Sequence, residues 1–314
     1  MDKHSRRDFI KTSALGVVSL GLGAARRAAV KLPHLRFPSE PRRRLGASSY
    51  TFRAYIDSPS GYDRDPKLPG VDLRDFGRTV KEKLNLFHIE PWNAHFRSTE
   101  PKYLAELRSG WEQSGVTPIN IAVDIDFSIY DPDAAKRAKA VSLGKTWVDA
   151  AAAVGSPGVR LNNPGVEGVQ PNLGLAVDSL RQVADRGAEQ NVQVSLENDN
   201  PVSEDPFFLV SVIEKANHPW LHALPDFGNS LTERGPEFND RAMKAMFKHA
   251  YCISHMKDGE YNDKGEFVRV DVAKTFAIAK AAGYRGYFSI EWEGHGSPFD
   301  ATERLIEECL KDLA

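Results

Sequence analysis

The sequence is short of cysteine, of long apolar runs and of net charge, and each shortage removes a class of protein. Two cysteines in 314 residues exclude both a disulfide framework and a four-cysteine zinc module. Cys252, on an apolar strand, and Cys309, in the last helical stretch, read as lone buried thiols rather than a bonded pair. The interior has no Gly/Ser-rich or Pro-rich linker, so the chain reads as one large core instead of two small domains. Charged residues at 27% and aromatics at 10% exclude a disordered chain. The net charge of −2 hides an asymmetry: residues 1–30 hold six basic and two acidic groups, which leaves −6 for residues 31–314. A mildly acidic body argues against nucleic acid as the main partner.

The basic excess belongs to a leader-like segment. Ser5-Arg6-Arg7-Asp8-Phe9-Ile10-Lys11 precedes a mild apolar run at 14–25, followed by Arg26-Arg27. About twelve apolar residues fall well short of the roughly 20 that span a membrane. Paired arginines before Phe and Lys resemble the twin-arginine export signal. That likeness implies residues 1–30 as a signal peptide, the twin-arginine translocase as a transient partner and a periplasmic location. Cleavage after Ala25 and retention as an anchor are both open. Residues 31–43 read as an N-terminal linker.

From residue 44 short apolar strands alternate with helices. Strands are expected at 44–52, 85–92, 117–127, 158–162, 193–198, 221–227, 252–257 and 286–292, most followed by a polar or Gly/Pro-containing loop. Helices are expected at 99–114, 131–154, 272–282 and 300–313; Asp131-Pro132 opens the second and Gly155 closes it. Eight such alternations predict a single (β/α)8 TIM barrel over 44–314. The stretch 53–70 contains Pro59, Gly61, Pro66, Pro69 and Gly70 and has no helical period. It reads as a lid or binding loop at the carboxyl end of the barrel, or as a plain surface excursion.

Four late strands each end on a metal-capable side chain: Glu197, Asp226, His255 and Glu291. Strand ends are neighbours around the rim of a parallel barrel, so these four can converge. Three carboxylates and an imidazole suit one divalent ion, Mn, Mg, Co or Zn. Each residue alone has an ordinary explanation as a cap, a turn or a core histidine; four at consecutive strand ends do not.

With the segments Asp226-Phe-Gly-Asn229, His255-Met-Lys-Asp258 and Ser289-Ile-Glu291-Trp-Glu293, this ordered set resembles the xylose isomerase-like TIM barrel superfamily. Within it, the chain is most similar to the sugar phosphate isomerases/epimerases, over about residues 44–313. The likeness implies that Glu197, Asp226, His255 and Glu291 hold one metal. It also implies that Glu197 and Glu291 are catalytic, flanking a carbon that loses and regains a proton through a metal-stabilised enediolate. Epimerisation, aldose–ketose isomerisation and β-elimination from a 3-keto-glycoside all begin this way, and a silent periplasmic sugar-binding protein would keep the same fold. Glu293 faces the same way as Glu291 on its strand; Glu291 matches the family glutamate, and Glu293 reads as a residue that orients substrate. Asn229 stands where many relatives carry His and cannot carry a proton. The abasic-site endonucleases of the superfamily need a histidine there, so a nuclease reading is set aside. Further substrate contacts are expected from Trp92 and His95, beside His88 and Glu90, from Arg160 and Asn162, and from Asn198 and Lys257. No phosphate-cradling glycine loop is present, which favours an unphosphorylated sugar.

Overall fold

A computed structural model describes residues 33–313 apart from 60, 62 and 263. The expected signal segment at 1–30 lies outside the described residues. Short parallel strands dominate: β1 Leu45–Ser48, β2 His88–Glu90, β3 Thr117–Pro118, β4 Ile121–Val123, β5 Gly158–Leu161, β6 Gln193–Glu197, β7 Leu221–Leu224 and β8 Ile253–Met256. An antiparallel hairpin follows, β9 Gly259–Tyr261 with β10 Phe267–Arg269, and β11 Tyr287–Ile290 completes the set.

The strands order as β3-β2-β1-β11-β8 and β4-β5-β6-β7. Two seams close them into a ring: Trp92 bridges Ala122, and Ala223 and Asp226 bridge Ala250 and His255. The third barrel strand is therefore β3 and β4 together. The expected strand at 117–127 breaks because Pro118 has no N–H to continue a ladder, and the Asn120 side chain turns inward to Glu90, 2.7 Å away. The first strand is also shorter than expected, because Ser49–Phe52 winds into a 3-10 turn once the Ser48 hydroxyl accepts the Tyr50 N–H.

Helices α1 Leu73–Leu84, α2 Pro101–Ser114, α3 Ala134–Val154, α4 Leu173–Gln190, α5 Pro206–Ala216, α6 Asn229–Arg234, α7 Pro236–Met246, α8 Val272–Ala281 and α9 Pro298–Leu313 cover the barrel. Asp72, Asp133, Asp205 and Asp271 cap four of them by accepting backbone N–H groups, each cap contributing about 1 kcal/mol. The cap of α3 is thus Asp133 rather than Asp131, and Gly155 ends the helix in the left-handed region at φ 80°, as its position predicts. The apolar stripes of the helices and the outward strand residues form one core, with Trp111, Phe76, Phe227 and Phe288 almost fully buried. Burial of each such side chain stabilises the fold by about 1.5–3 kcal/mol. Cys252 and Cys309 are free and buried.

The stretch read as a linker is packed over its described part. Phe37 sits edge-on to Tyr251 and Tyr287, each 5.6 Å between ring centres, at the amino end of β8 and β11. The chain thereby covers the end of the barrel opposite the strand termini that carry the polar residues. Among the described residues no helix is long and apolar enough to cross a membrane.

Candidate metal and sugar site

The barrel carries its chemistry past the carboxyl ends of β6, β7, β8 and β11. Glu197 ends β6, Asp226 follows β7 after Pro225, His255 lies within β8, and Glu291 follows β11. Each offers one ligand atom, and all these atoms lie within 4.8 Å of one another. All four residues are buried.

His255 is the hub. Its Nδ1 lies 2.7 Å from Glu197 Oε1 and 3.3 Å from Glu291 Oε2. Its Nε2 lies 3.0 and 2.9 Å from the two oxygens of Glu90. Glu90 is fully buried, and although burial opposes its charge, His255 holds its carboxyl below the ordinary value. An ionised Glu90 can only accept, so the Nε2 proton is donated to it and Nδ1 is the nitrogen left to face the other carboxylates. Burial also opposes a charge on His255, but Glu197, Glu291 and Glu90 outweigh it and hold the imidazole well above its usual value. Burial pushes Asp226 up to about 8 against the pull of Lys257. Glu291 is lowered, because His255 and Lys257 overcome its burial.

The backbone shapes Asp226 for this place. Its Oδ1 accepts the N–H groups of Gly228 and Asn229, both at 2.8 Å. Its Oδ2 is buried and accepts no hydrogen bond; the Lys257 ammonium is 3.4 Å away. An orphaned buried carboxylate oxygen beside two more carboxylates and an imidazole nitrogen fits a divalent cation with hard-ligand preference.

Above this cluster opens a cavity of about 170 Å³, lined by Tyr50, Trp92, Asp124, Arg160, Glu197, Asp199, Asn229, Lys257, Glu260, Glu291 and Glu293 among others. Lys257 donates to Asn229 Oδ1 at 2.8 Å and to Glu293, and lies 3.7 Å from Glu291 Oε2. Arg160 Nε is 2.9 Å from Glu197 Oε2, and its Nη1 pairs with Asp124. Asp124 also accepts Trp92 Nε1 at 2.6 Å. The cavity thus collects Trp92, Arg160, Asn229, Lys257 and Glu293 from the expected contacts.

Three expected contacts lie off its wall, each for a visible reason. His95 is fully buried against the Ser49 hydroxyl at 2.8 Å. Asn162 is spent on Ile125, whose N–H its Oδ1 accepts at 2.8 Å. Asn198 grips the Asp226 backbone, accepting its N–H at 2.8 Å and donating to its carbonyl at 3.3 Å, so it positions Asp226 from behind.

Tyr50, Asp124, Asp199 and Glu260 are wall residues that the sequence reading did not single out. Asp124 directly follows β4, so the strand-end rule could have found it. Asp199 lies two residues beyond Glu197, open at the cavity mouth; the protein packed around its carboxyl and the Glu197 charge push it up to about 7. Glu260 arrives on the β9–β10 hairpin, which has no barrel period to announce it.

Residues 80–313 match the sequence family described as xylose isomerase-like TIM barrel. The chain has no match among curated protein sequences. Solved structures share its fold. A magnesium complex of a xylose isomerase-like TIM barrel protein from Mycobacterium smegmatis is 18% identical, with a TM-score of 0.65 over 86% of this chain and 96% of that one. D-allulose 3-epimerase from Methylomonas sp. in complex with D-allulose is 16% identical, with a TM-score of 0.65 over 88% and 99%. The 3-keto-D-glucoside 4-epimerase of E. coli is 15% identical, with a TM-score of 0.61 over 85% and 98%.

Proposed function

Because the chain belongs to the xylose isomerase-like TIM barrel family, we propose that it is a divalent-metal-dependent isomerase or epimerase of an uncharged sugar or sugar-derived carbonyl compound. The observation that carries this reading is the convergence of Glu197, Asp226, His255 and Glu291 within 4.8 Å at the base of a cavity one sugar ring in size. A divalent cation bound there supplies Lewis-acid polarisation of a substrate carbonyl and its adjacent hydroxyl.

The protein's own groups do the rest. Glu197 and Glu291 are the outer members of the four, carried on β6 and β11, with Asp226 and His255 between them on the rim. A ring seated over the cluster therefore meets one carboxylate from each side. One removes the proton next to the carbonyl and the other returns a proton to the carbon skeleton. The Lys257 ammonium faces the oxygen that gains negative charge as the proton leaves. Arg160 holds Glu197, and Asn229, Glu293 and Trp92 offer hydroxyl contacts and an aromatic face. Six carboxylates against two cations on the cavity wall disfavour a phosphorylated sugar. The solved relatives act on ketoses and a 3-keto-glucoside by name, which supports the same carbonyl chemistry here. Elimination from a 3-keto-glycoside is the second reading, because it starts with the same proton loss.

The test has two stages. Metal analysis of the purified protein is expected to find about one divalent ion per chain, lost in Glu197→Ala and His255→Ala. The metal-loaded protein in D₂O is then expected to exchange deuterium into C3 of a ketose with its skeleton retained; release of an aglycone from a 3-keto-glycoside assigns the lyase reading. No metal and no exchange refutes the enzyme and leaves a sugar-binding protein. We further propose twin-arginine export to the periplasm from residues 1–30. Exchange of Arg6-Arg7 for two lysines is expected to retain the protein in the cytoplasm, and unaltered export would refute the route.

A further inference from the structure

The loop that follows β1, in the stretch 53–70, takes no part in the chemistry above, yet its residues 54–57 and 64–68 are tied together by hydrogen bonds. Arg64 donates to Asp57 at 3.0 Å, to the Ala54 carbonyl at 3.0 Å and to the Leu68 carbonyl at 3.1 Å. The Asp57 N–H reaches the Val71 carbonyl at 2.9 Å and the Val71 N–H reaches the Tyr55 carbonyl at 2.8 Å. Between this loop and the β11–α9 connection lies a second cavity of about 540 Å³, with Thr51, Arg53, Tyr55, Asp63, Trp292 and Gly294 on its wall.

The two cavities are neighbours because residues alternate between them. Tyr50 and Glu293 face the metal cavity, while Thr51 and Arg53 on one segment and Trp292 and Gly294 on the other face the second. These segments leave β1 and β11, which pair from Leu45↔Phe288 to Ala47↔Ile290. They stay joined past the strands, where the Trp292 N–H donates to the Thr51 hydroxyl at 2.8 Å. The Arg53 guanidinium stacks 4.3 Å over the Tyr50 ring and pairs with Asp63 at 3.0 Å. Tyr50 and Glu293 thus stand, on these two segments, between a small polar chamber and a wider one.

We propose that the wider chamber is a second subsite, taking the second sugar ring of a two-ring glycoside whose reactive ring occupies the metal cavity. The proposal rests on the function proposed above and narrows its substrate class. Pockets for drug-sized ligands measure about 300–1,000 Å³, so 170 Å³ holds one ring and any further group must extend beyond it; on the β1–β11 side the neighbouring space is the second cavity. The second wall sets the Tyr55 ring beside the Arg53 guanidinium and the Asp63 carboxylate, with the edge of the buried Trp292 behind them. That combination meets both the apolar and the hydroxyl faces of a sugar. The internally bonded loop holds the wall in place before binding, which lowers the ordering cost of recognition.

The test compares a 3-keto-disaccharide with the methyl 3-keto-glycoside of the same reactive ring on metal-loaded protein, reading deuterium exchange. Wild type is expected to show a KM at least tenfold lower for the two-ring compound. Ala54→Trp, which fills the second chamber, is expected to abolish that advantage and leave the one-ring KM unchanged. Tyr55→Ala is the second variant, expected to raise only the two-ring KM by about fivefold. Equal KM values in wild type, or variants that shift both substrates alike, would overturn the subsite. If neither compound exchanges, the proposed function is judged separately on ketose exchange, and calorimetric binding of an unoxidised disaccharide against its methyl glycoside decides the subsite. Tenfold tighter disaccharide binding, lost in Ala54→Trp, supports it; equal affinities overturn it.

Discussion

Replacing Glu90, a residue that touches no metal ligand atom except through His255, is expected to weaken metal binding. Both Glu90 oxygens face His255 Nε2, at 3.0 and 2.9 Å, and Oε1 also accepts Asn120 Nδ2 at 2.7 Å. This carboxylate determines which imidazole nitrogen keeps its proton and which is left for a cation. Loss of such an outer partner costs 10–100-fold in metal affinity, or about 1.4–2.8 kcal/mol. Glu90→Ala leaves the Nε2–H without an acceptor and frees the ring to turn, so the upper part of that range is expected. In Glu90→Gln the amide oxygen can take the Oε1 place and keep Asn120, but its NH₂ then confronts the Nε2–H at the Oε2 place. The lower part is expected there. Calorimetric titration of metal-stripped protein with Mn²⁺ measures both, with circular dichroism to confirm the fold. Folded Glu90→Ala protein that binds Mn²⁺ within about threefold of wild type would refute the reasoning.

Glu291→Gln is expected to lower deuterium exchange by at least about 100-fold, the scale of a lost general base, whereas Glu293→Gln costs less than about tenfold; the reverse order of losses would move the catalytic role to Glu293. His95 is buried and pushed down to about 3, first by burial and then by Arg53. Its folded value lies below the unfolded one, so the unfolded chain takes up the proton first. Its share of stability is complete above about pH 6.5 and shrinks as pH falls toward 3, by about 1.4 kcal/mol at pH 5.5. Urea unfolding at pH 5.5 and 8 should show a smaller difference in His95→Gln than in wild type, and an unchanged difference refutes the assignment. Gly187 in α4 leaves no room for a methyl group, because a Cβ would stand 2.4 Å from the Val192 carbonyl oxygen. Gly187→Ala is therefore expected to lower the unfolding free energy by about 1–3 kcal/mol despite alanine's better helix propensity; a more stable variant would show that the backbone gives way freely.

Much of the site was legible because a parallel barrel turns strand order into rim order. Glu197, Asp226, His255 and Glu291 could be grouped from strand ends alone, since every strand of such a barrel delivers its carboxyl end to one face. Arg160, Trp92, Asn229, Lys257 and Glu293 followed by the same rule. The rule fails where a strand-end residue is spent inward. His95 and Asn198 satisfy buried backbone or hydroxyl partners, and no one-dimensional pattern distinguishes an inward polar side chain from one that faces the cavity. It fails again for Glu260, which an inserted hairpin brings in from outside the βα repeat.

The sequence by itself determined the alternation of strands and helices, the TIM barrel and the order of the four converging side chains, because these depend on local period and chain order. Only the tertiary structure decided that Glu90 sets the His255 proton, that residues 33–43 pack under the barrel, and that the 53–70 loop walls a second chamber. Those facts depend on pairs such as Glu90 and His255, Phe37 and Tyr251, and Thr51 and Trp292, separated by more than a hundred residues and joined only when the ring closes. The sparse cysteines, absent long apolar runs and small net charge excluded whole classes of protein. The closed ring then showed where the acidic excess is concentrated, with six carboxylates around one small cavity.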